Sequence, residues 1–407
     1  MSDRAGPRSP DVSEDMLMIL ISAVAGYAGL SSTPRTAALI LAVPVLWTLA
    51  GSRLSAFAVV FAYKLAASRG VLPGAAAFLP ENHTLMEAAA LYLLISFGAS
   101  LPFGMFWSKD GKRKAICLVL AFLVAYVLPP FSLIGMINPL MAAGSIFKGW
   151  GFAGMLIVLG IYAICAVSRR TAWSFLVVIA LFAILPPDSW YKPQTPEGIM
   201  AVDTSFGKLG SGSFDFERDY ERANMVFSEL RNRIGKDASS YMPDIVVLPE
   251  TIAGRLNDTG LELWKDGLGE SLGGKTVIFG AKLPTDDGMK YDNAALMLHD
   301  GEITLTRQRI PVPYSMYVPF TKGGANLHLS GDGILELPDG RTSAIVICYE
   351  AFLTWPILRS MTQKPEVIIC MANLWWCVGT SIPASCRNAV SLWANLFGVP
   401  AVFAGNI

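Results

Sequence analysis

Charge is scarce in this chain. Only 16% of its 407 residues are charged and 53% are hydrophobic, whereas an ordinary soluble domain is about 25% charged. The deficit falls in the first half, which indicates two unlike domains. The 32 basic residues balance 32 acidic ones. No basic stripe and no aromatic-interleaved basic patch occurs, so direct nucleic-acid binding is not expected. The six cysteines show no metal-ligand spacing, so neither a metal centre nor a cofactor is expected. A cleavable leader is not expected either. The first apolar run has no basic flank followed by a small-residue cleavage site, and further apolar runs come after it.

Those runs lie near 16–33, 36–51, 54–68, 87–107, 115–136, 150–167 and 172–187. A spanning helix needs about 20 apolar residues, with a range of about 17–25. Residues 1–187 therefore read as a membrane domain of about seven transmembrane helices, with 36–51 and 54–68 as a tight hairpin. Lysine and arginine in short loops set orientation. Lys109, Lys112, Arg113 and Lys114 share one side with Arg53, Arg169 and Arg170, whereas Arg35, Arg69 and Lys148 fall on the other. The richer side is cytoplasmic. The N-terminus is then inside, and the segment after the last run lies outside, which in a bacterium is the periplasmic face of the inner membrane. The prolines and glycine of Leu128–Met141 break the helical ladder, and bare backbone is costly in lipid. That segment reads as a stretch dipping back along the outer surface or as a plain loop. Lys64 and Glu87 sit near run ends, where snorkelling accounts for them.

Residues 188–200 form a linker, and 201–407 a second domain. Strands are expected at 201–206, 246–248, 276–281, 344–347, 367–371 and 401–404. Helices are expected at 214–234 and 261–272, with a third running to Phe397 before a capping Gly398. Residues 291–298 and 303–305 form a hairpin around Asp300-Gly301. Strands alternating with helices predict an α/β layer fold. Two strands end in reactive groups: Asp244-Ile-Val-Val-Leu-Pro-Glu250, and Ser343-Ala-Ile-Val-Ile-Cys348 with Tyr349 and Glu350 after it. A thiol at a strand end facing a polar turn is a common nucleophile; the alternative is a small core hydrophobe. Cys117 and Cys165, in apolar runs, read as packing. Cys370, Cys377 and Cys386 read as buried thiols or, in an oxidising compartment, as a Cys377–Cys386 disulfide plus one thiol.

Leu248-Pro-Glu250, Arg307-Gln-Arg-Ile-Pro-Val-Pro-Tyr-Ser-Met-Tyr-Val-Pro319 and Ile347-Cys-Tyr-Glu350 occur in that order. Together they resemble the carbon–nitrogen hydrolase (nitrilase) superfamily, in particular its membrane-bound apolipoprotein N-acyltransferase branch. Within it the sequence resembles the TraB conjugal-transfer family of Ti-type and related rhizobial plasmids. The resemblance covers the second half, and the first half matches in layout. It implies a multi-pass α-helical membrane domain followed by a nitrilase-like α-β-β-α sandwich. It also implies Cys348 as a thioester-forming nucleophile and Glu250 as general base. The family's oxyanion lysine is absent. Arg307 takes its place if Pro311 is an insertion, Gln308 if it is not. Arg307 is the expected oxyanion group because it keeps a charge, although its forked head makes the exchange non-conservative.

Met316 replaces a loop glutamate of the acyltransferases, which leaves Glu350 as a second carboxylate. Tyr349, Tyr317 and Asn373 are expected beside the nucleophile. Trp375 and Trp376 are expected to grip an acyl chain or to anchor the domain at the membrane interface. The implied substrate is a membrane lipid or acylated molecule, and the implied partners are conjugation-machinery proteins. The implied activity is thiol-dependent acyl transfer or amide hydrolysis serving plasmid conjugation. The alternative is a non-catalytic membrane scaffold that keeps the fold. The acyltransferases continue beyond the position of Ile407, so an exposed sheet edge is expected there.

Overall fold

The computed structural model describes residues 12–30, 33–78, 85–208, 216–236, 243–285 and 288–407. The chain splits into two compact units. The first comprises Met1–Ala76, Pro80–Lys192 and Ser391–Gly398; the second comprises Ala77–Leu79, Pro193–Val390 and Val399–Ile407.

All seven apolar runs of the first unit form helices. They are Val12–Gly29; Pro34–Leu41 (3-10) continuing as Ala42–Leu49; Arg53–Ala67; Leu85–Met105; Gly111–Tyr126; Gly151–Val167; and Arg169–Ile184. A short helix at Val71–Phe78 was not expected. Ser52, Asp110 and Ser168 start three of the helices by accepting from the amides of Ser55, Arg113 and Thr171, which satisfies first-turn donors. By length and composition Val12–Gly29 and Leu85–Met105 can cross a membrane. Arg53–Ala67, Gly111–Tyr126, Gly151–Val167 and Arg169–Ile184 hold 15 to 17 residues. At 1.5 Å per residue these reach roughly 22–26 Å, short of the roughly 30 Å hydrocarbon core. The run expected to continue to 136 stops at Tyr126, because Pro129 and Pro130 cannot extend a helix.

The segment 128–141 is exposed at Leu128, Pro129 and Pro130 and turns inward after them. After a short helix at Phe131–Ile134, the 3-10 turn Pro139–Ser145 is entirely buried. Its broken backbone needs donors, and Lys64 supplies one, contrary to the snorkelling expected of it. The ammonium is buried and donates to the carbonyls of Met136 and Ile137. The Tyr63 hydroxyl also donates to Ile137 O, at 2.9 Å. Glu87 is exposed in the first turn of its helix.

The second unit is α/β. Its strands are β1 Ile199–Ala201, β2 Ile245–Val247, β3 Thr276–Pro284, β4 Lys290–His299, β5 Glu302–Arg307, β6 Gly324–Ala325, β7 Ile334–Glu336, β8 Thr342–Ile347, β9 Val367–Asn373 and β10 Ala401–Asn406. One sheet runs β1-β2-β3-β4-β5 with β6 also on β4; the other runs β10-β9-β8-β7. Strands β1, β2 and β3 are mutually parallel, as are β8, β9 and β10. The β4–β5 hairpin turns at Asp300 and Gly301, both with positive φ, as an Asp-Gly hairpin requires. The first strand is earlier and shorter than 201–206, leaving Thr204 as a single bridge to Asn406. Of the helix expected at 214–234, Phe216–Lys236 is observed; residues 214 and 215 lie outside the described set.

One face of the first sheet packs on the helices Phe216–Lys236 and Asp258–Leu272. Phe227, Leu230, Trp264 and Leu268 meet Val246, Leu248, Phe279 and Leu296. The alternate residues Ile245, Val247, Ile278 and Ala295 are buried as well, so this sheet is covered on both faces. The sheet edge at β10 is not left open at its end. Thr204 N donates to Gly405 O at 2.9 Å, and Ile407 N donates to Thr204 O at 2.9 Å.

Candidate active site

Glu250 and Cys348 stand just beyond the C-terminal ends of β2 and β8, one from each sheet. Gly280 on β3 makes room for the first. A Cβ there would lie 2.3 Å from Thr251 N and 2.5 Å from Glu250 Cα, so only glycine lets the strand pass so close. Left-handed backbone occurs at Cys348, where φ is 50°, and at Thr251 next to Glu250, where φ is 52°. For non-glycine residues this costs on the order of 1–3 kcal/mol each.

Glu250 is 4% exposed and Cys348 8%. Glu250 Oε1 accepts from Asn293 Nδ2 at 2.6 Å, and Oε2 accepts from Asn373 N at 2.9 Å. The Cys348 thiol is close enough to the same carboxylate for each to shift the other's pKa. Asn373 is fixed in turn: its Nδ2 donates to Thr251 Oγ1 at 2.7 Å, and its Oδ1 accepts from Asn406 Nδ2 at 2.9 Å. Burial lifts the Glu250 carboxyl above its usual range, opposed by bonds from Asn293, Cys348 and Asn373 and by the charge of Lys282. Burial first, then the Glu250 charge, pushes the Cys348 thiol well up. At rest Cys348 is thus a protonated thiol beside the Glu250 carboxyl.

Glu350 does not act as a second carboxylate facing the thiol; it is the buried partner of Arg309. The two side chains are 1% and 0% exposed, and Arg309 Nη2 lies 2.9 Å from Glu350 Oε2. Glu350 also takes the amides of Arg309, Ile310 and Ile347 at 2.6, 3.2 and 3.2 Å. Arg309 donates further to Asp332 O, Pro356 O, Ser360 Oγ and Ile345 O. Gly333 makes space for the guanidinium, since a Cβ there would sit 2.4 Å from Nη1 at a φ of +67°. This clamp fixes both the Cys348 turn and the strand end beside it.

Arg307 is not drawn into the cluster. Its side chain is 46% exposed and its Nε donates to Asp292 Oδ2 at 2.6 Å. One residue on, Gln308 is buried at the site. Its Nε2 donates to Ile347 O at 3.0 Å and its Oε1 accepts from Asn293 Nδ2 at 2.9 Å. Gln308, not Arg307, therefore stands beside the pair, and it is neutral. The cation that acts on Glu250 is Lys282. It pairs with Asn293 across β3 and β4, and its ammonium lies 5.2 Å from the centroid of the Tyr291 ring. Burial lowers the pKa of Lys282 and the Glu250 charge opposes that shift.

Sequence reasoning did not find Asn293 or Lys282. The only signal was a polar residue in each of two largely apolar strands. Tyr349 is buried. Tyr317 is half-buried in a loop where its carbonyl accepts from Tyr314 N at 2.8 Å. Trp375 and Trp376 are half-buried in the turn after β9, with the Lys208 ammonium 5.6 Å from the Trp375 ring centroid. All six cysteines are free thiols, so the Cys377–Cys386 disulfide gives way to the buried-thiol reading. Cys377 Sγ donates to Leu374 O at 3.2 Å, and burial pushes its thiol up to about 12. Among the described residues no three His, Cys, Asp or Glu side chains converge as metal ligands.

Fold and site together define an α/β protein with a buried glutamate–cysteine pair. No protein-family model matches the chain. It is 33% identical to the conjugal transfer protein TraB of Agrobacterium fabrum, over 96% of this chain and 92% of that protein. It is 30% identical to a probable conjugal transfer protein TraB of Sinorhizobium fredii, over 96% of this chain and 97% of that protein. The chain belongs to the TraB conjugal-transfer family. Among solved structures, a variant of a nitrilase-superfamily amidase from Nesterenkonia overlaps 52% of this chain and 78% of its own, at 12% identity and a TM-score of 0.35. A glutamine-dependent NAD+ synthetase from Acinetobacter baumannii overlaps 43% and 32%, at 13% identity and a TM-score of 0.31.

Proposed function

We propose that this chain carries out thiol-dependent acyl transfer or amide hydrolysis at a membrane, in the service of conjugative plasmid transfer. The observation that carries the reading is the pairing of the buried Cys348 thiol with the buried Glu250 carboxyl, brought from the ends of β8 and β2 close enough to shift each other's pKa. As sulfur attacks an acyl carbonyl, Glu250 takes the thiol proton and the carbonyl oxygen becomes an oxyanion. Collapse forms the thioester, and Glu250 returns the proton to the departing amine or alcohol. An acceptor amine or water then loses its proton to Glu250, attacks the thioester and restores the thiol. Lys282 holds Glu250 toward its ionised form. Asn293 Oδ1 is buried and without a partner among the described residues, so it is available to an incoming N–H.

The membrane part of the proposal rests on apolar side chains left exposed on the first unit. Leu17, Leu20 and Val24 lie on one helix and Leu93, Leu94 and Phe97 on another, with Leu156, Ile164, Val177, Leu181 and Ile184 on two more. Such a surface suits lipid better than water, and short helices are accommodated by local thinning of the bilayer. With the basic loops inside, the α/β unit faces the periplasm of a multi-pass inner-membrane protein. The substrate is then a membrane lipid or acylated molecule, and the partners are conjugation proteins. A reporter active only in the periplasm, fused after Lys208, is expected to be active and the same fusion after Lys112 silent; the opposite pattern overturns the orientation.

A second reading, a scaffold that lost its chemistry, is favoured by neutral Gln308 beside a thiol pushed up by burial. Mating frequency separates the two. The enzyme reading predicts that Cys348→Ser lowers plasmid transfer with the protein still in the membrane. Transfer unchanged in that variant, yet lost on gene deletion, leaves the scaffold.

A further inference from the structure

An open cavity of about 660 Å³ lies within the helical unit, where the end of Leu85–Met105 meets the N-terminal turns of Arg53–Ala67 and Gly111–Tyr126. Its lining carries three cations, Arg53, Lys109 and Arg113, and no acidic residue. None of the three forms an ion pair among the described residues, in a chain whose net charge is zero. The neighbouring carboxylates accept from backbone amides and a hydroxyl rather than from these side-chain cations. Asp15 takes Gly51 N at 2.9 Å and Ser55 Oγ at 2.5 Å, and Asp110 takes Arg113 N at 2.8 Å. Phe106, Trp107 and Ile116 supply an apolar wall. Behind it the buried Lys114 donates to Thr48 O at 2.8 Å and holds its ammonium 5.1 Å from the Trp107 ring centroid.

We propose that this cavity binds the phosphate of an anionic amphiphile, with an acidic phospholipid as its source. Unpaired cations in two loops fit the positive-inside rule, but that rule needs no cavity and no apolar wall. Here the cations ring a concave site beside an apolar wall. Arg53 and Arg113 are forked donors suited to phosphate oxygens, and Lys109 adds a point charge. A free phosphate would use the cations alone; Phe106 and Ile116 have a role only if the ligand carries an acyl or other apolar part. The lipid source rests on the membrane reading of this unit, whereas the phosphate site does not.

The test is calorimetric titration of the full chain in non-ionic detergent with three probes: dihexanoylphosphatidylglycerol, dihexanoylphosphatidylcholine and inorganic phosphate. Saturable binding of the phosphatidylglycerol is expected, with the phosphatidylcholine and inorganic phosphate each at least tenfold weaker. The triple variant Arg53→Gln/Lys109→Gln/Arg113→Gln should weaken phosphatidylglycerol binding about tenfold, since exposed charge contacts are individually small. Ile116→Asn should weaken it while leaving inorganic phosphate unchanged. Arg170→Gln, an exposed cation outside the cavity, should change neither. Equal binding by wild type and triple variant, or by the two lipids, overturns the proposal. Inorganic phosphate binding as tightly as the lipid overturns the lipid source. A failed reporter-fusion topology alongside intact phosphatidylglycerol binding would refute the orientation and leave this site standing.

Discussion

Replacing Glu350 by Gln should loosen the second sheet far more than its conservative shape suggests. The side chain keeps its size but loses its charge, and Arg309, with no exposure at all, is left as an uncompensated cation. Removing one partner of a buried pair typically costs about 3–5 kcal/mol. The five bonds that converge on the carboxylate place this pair at that level rather than at the level of a surface pair. Cys370 on β9 is a built-in reporter, since it is fully buried and can be alkylated only when the sheet opens. At about 1.4 kcal/mol per decade, its labelling in membranes should accelerate about a hundred- to several-thousandfold. The double variant Arg309→Met/Glu350→Gln should recover only part of this, because Asp332 O, Pro356 O and Ile345 O lose their donor. Labelling of Cys370 within about threefold of wild type in Glu350→Gln would refute the clamp.

Gly280→Ala should uncouple Glu250 from Cys348, because the new methyl lies 2.5 Å from Glu250 Cα; the measurement is plasmid-transfer frequency, expected to fall as far as in Glu250→Gln. Cys348→Gly should be more stable than Cys348→Ala by about 1 kcal/mol, read from the denaturation midpoint, because φ is +50° there and only glycine accepts it without strain. Lys282→Met should raise the Glu250 pKa further, because Lys282 lowers it now; the acid limb of any Cys348-dependent acylation rate should move to higher pH. Stability carries the matching sign. The folded state holds the Glu250 proton more tightly than the unfolded state, so its contribution is full below the ordinary value of 4.5 and is lost as pH rises through the folded value. The unfolding midpoint of wild type should therefore fall relative to Glu250→Gln as pH rises above that value.

That Glu250 and Cys348 come together was legible because each closes an apolar strand, and strands of that kind deliver side chains to one end of a sheet. The choice between Arg307 and Gln308 was not. A shift of one residue in a strand turns every side chain to the opposite face, and only the pairing of β4 with β5 shows that Arg307 meets Asp292 while Gln308 turns inward. Lys282 and Asn293 come together only through the β3–β4 register, which composition does not encode. Glu350 read as a catalytic spare because nothing local reveals that Arg309, distant in sequence, neutralises it. In the helical unit, hydropathy located every run but overestimated the reach of 115–136, since Pro129 and Pro130 end a helix inside an apolar stretch. Lys64 read as a snorkelling cation because its acceptors, Met136 and Ile137, lie in another segment. Strands β6 and β7, of two and three residues, are too short for any alternation to register.

Thioester formation on Cys348 tests the account most directly. Membranes from mating cells would be digested, and the Cys348 peptide examined by mass spectrometry with and without hydroxylamine, which cleaves thioesters. The account predicts an acyl mass on the wild-type peptide that hydroxylamine removes. It also predicts that the adduct is lost in Glu250→Gln and does not shift to Cys370, Cys377 or Cys386. An unmodified Cys348 peptide in wild-type membranes that support normal plasmid transfer would contradict it.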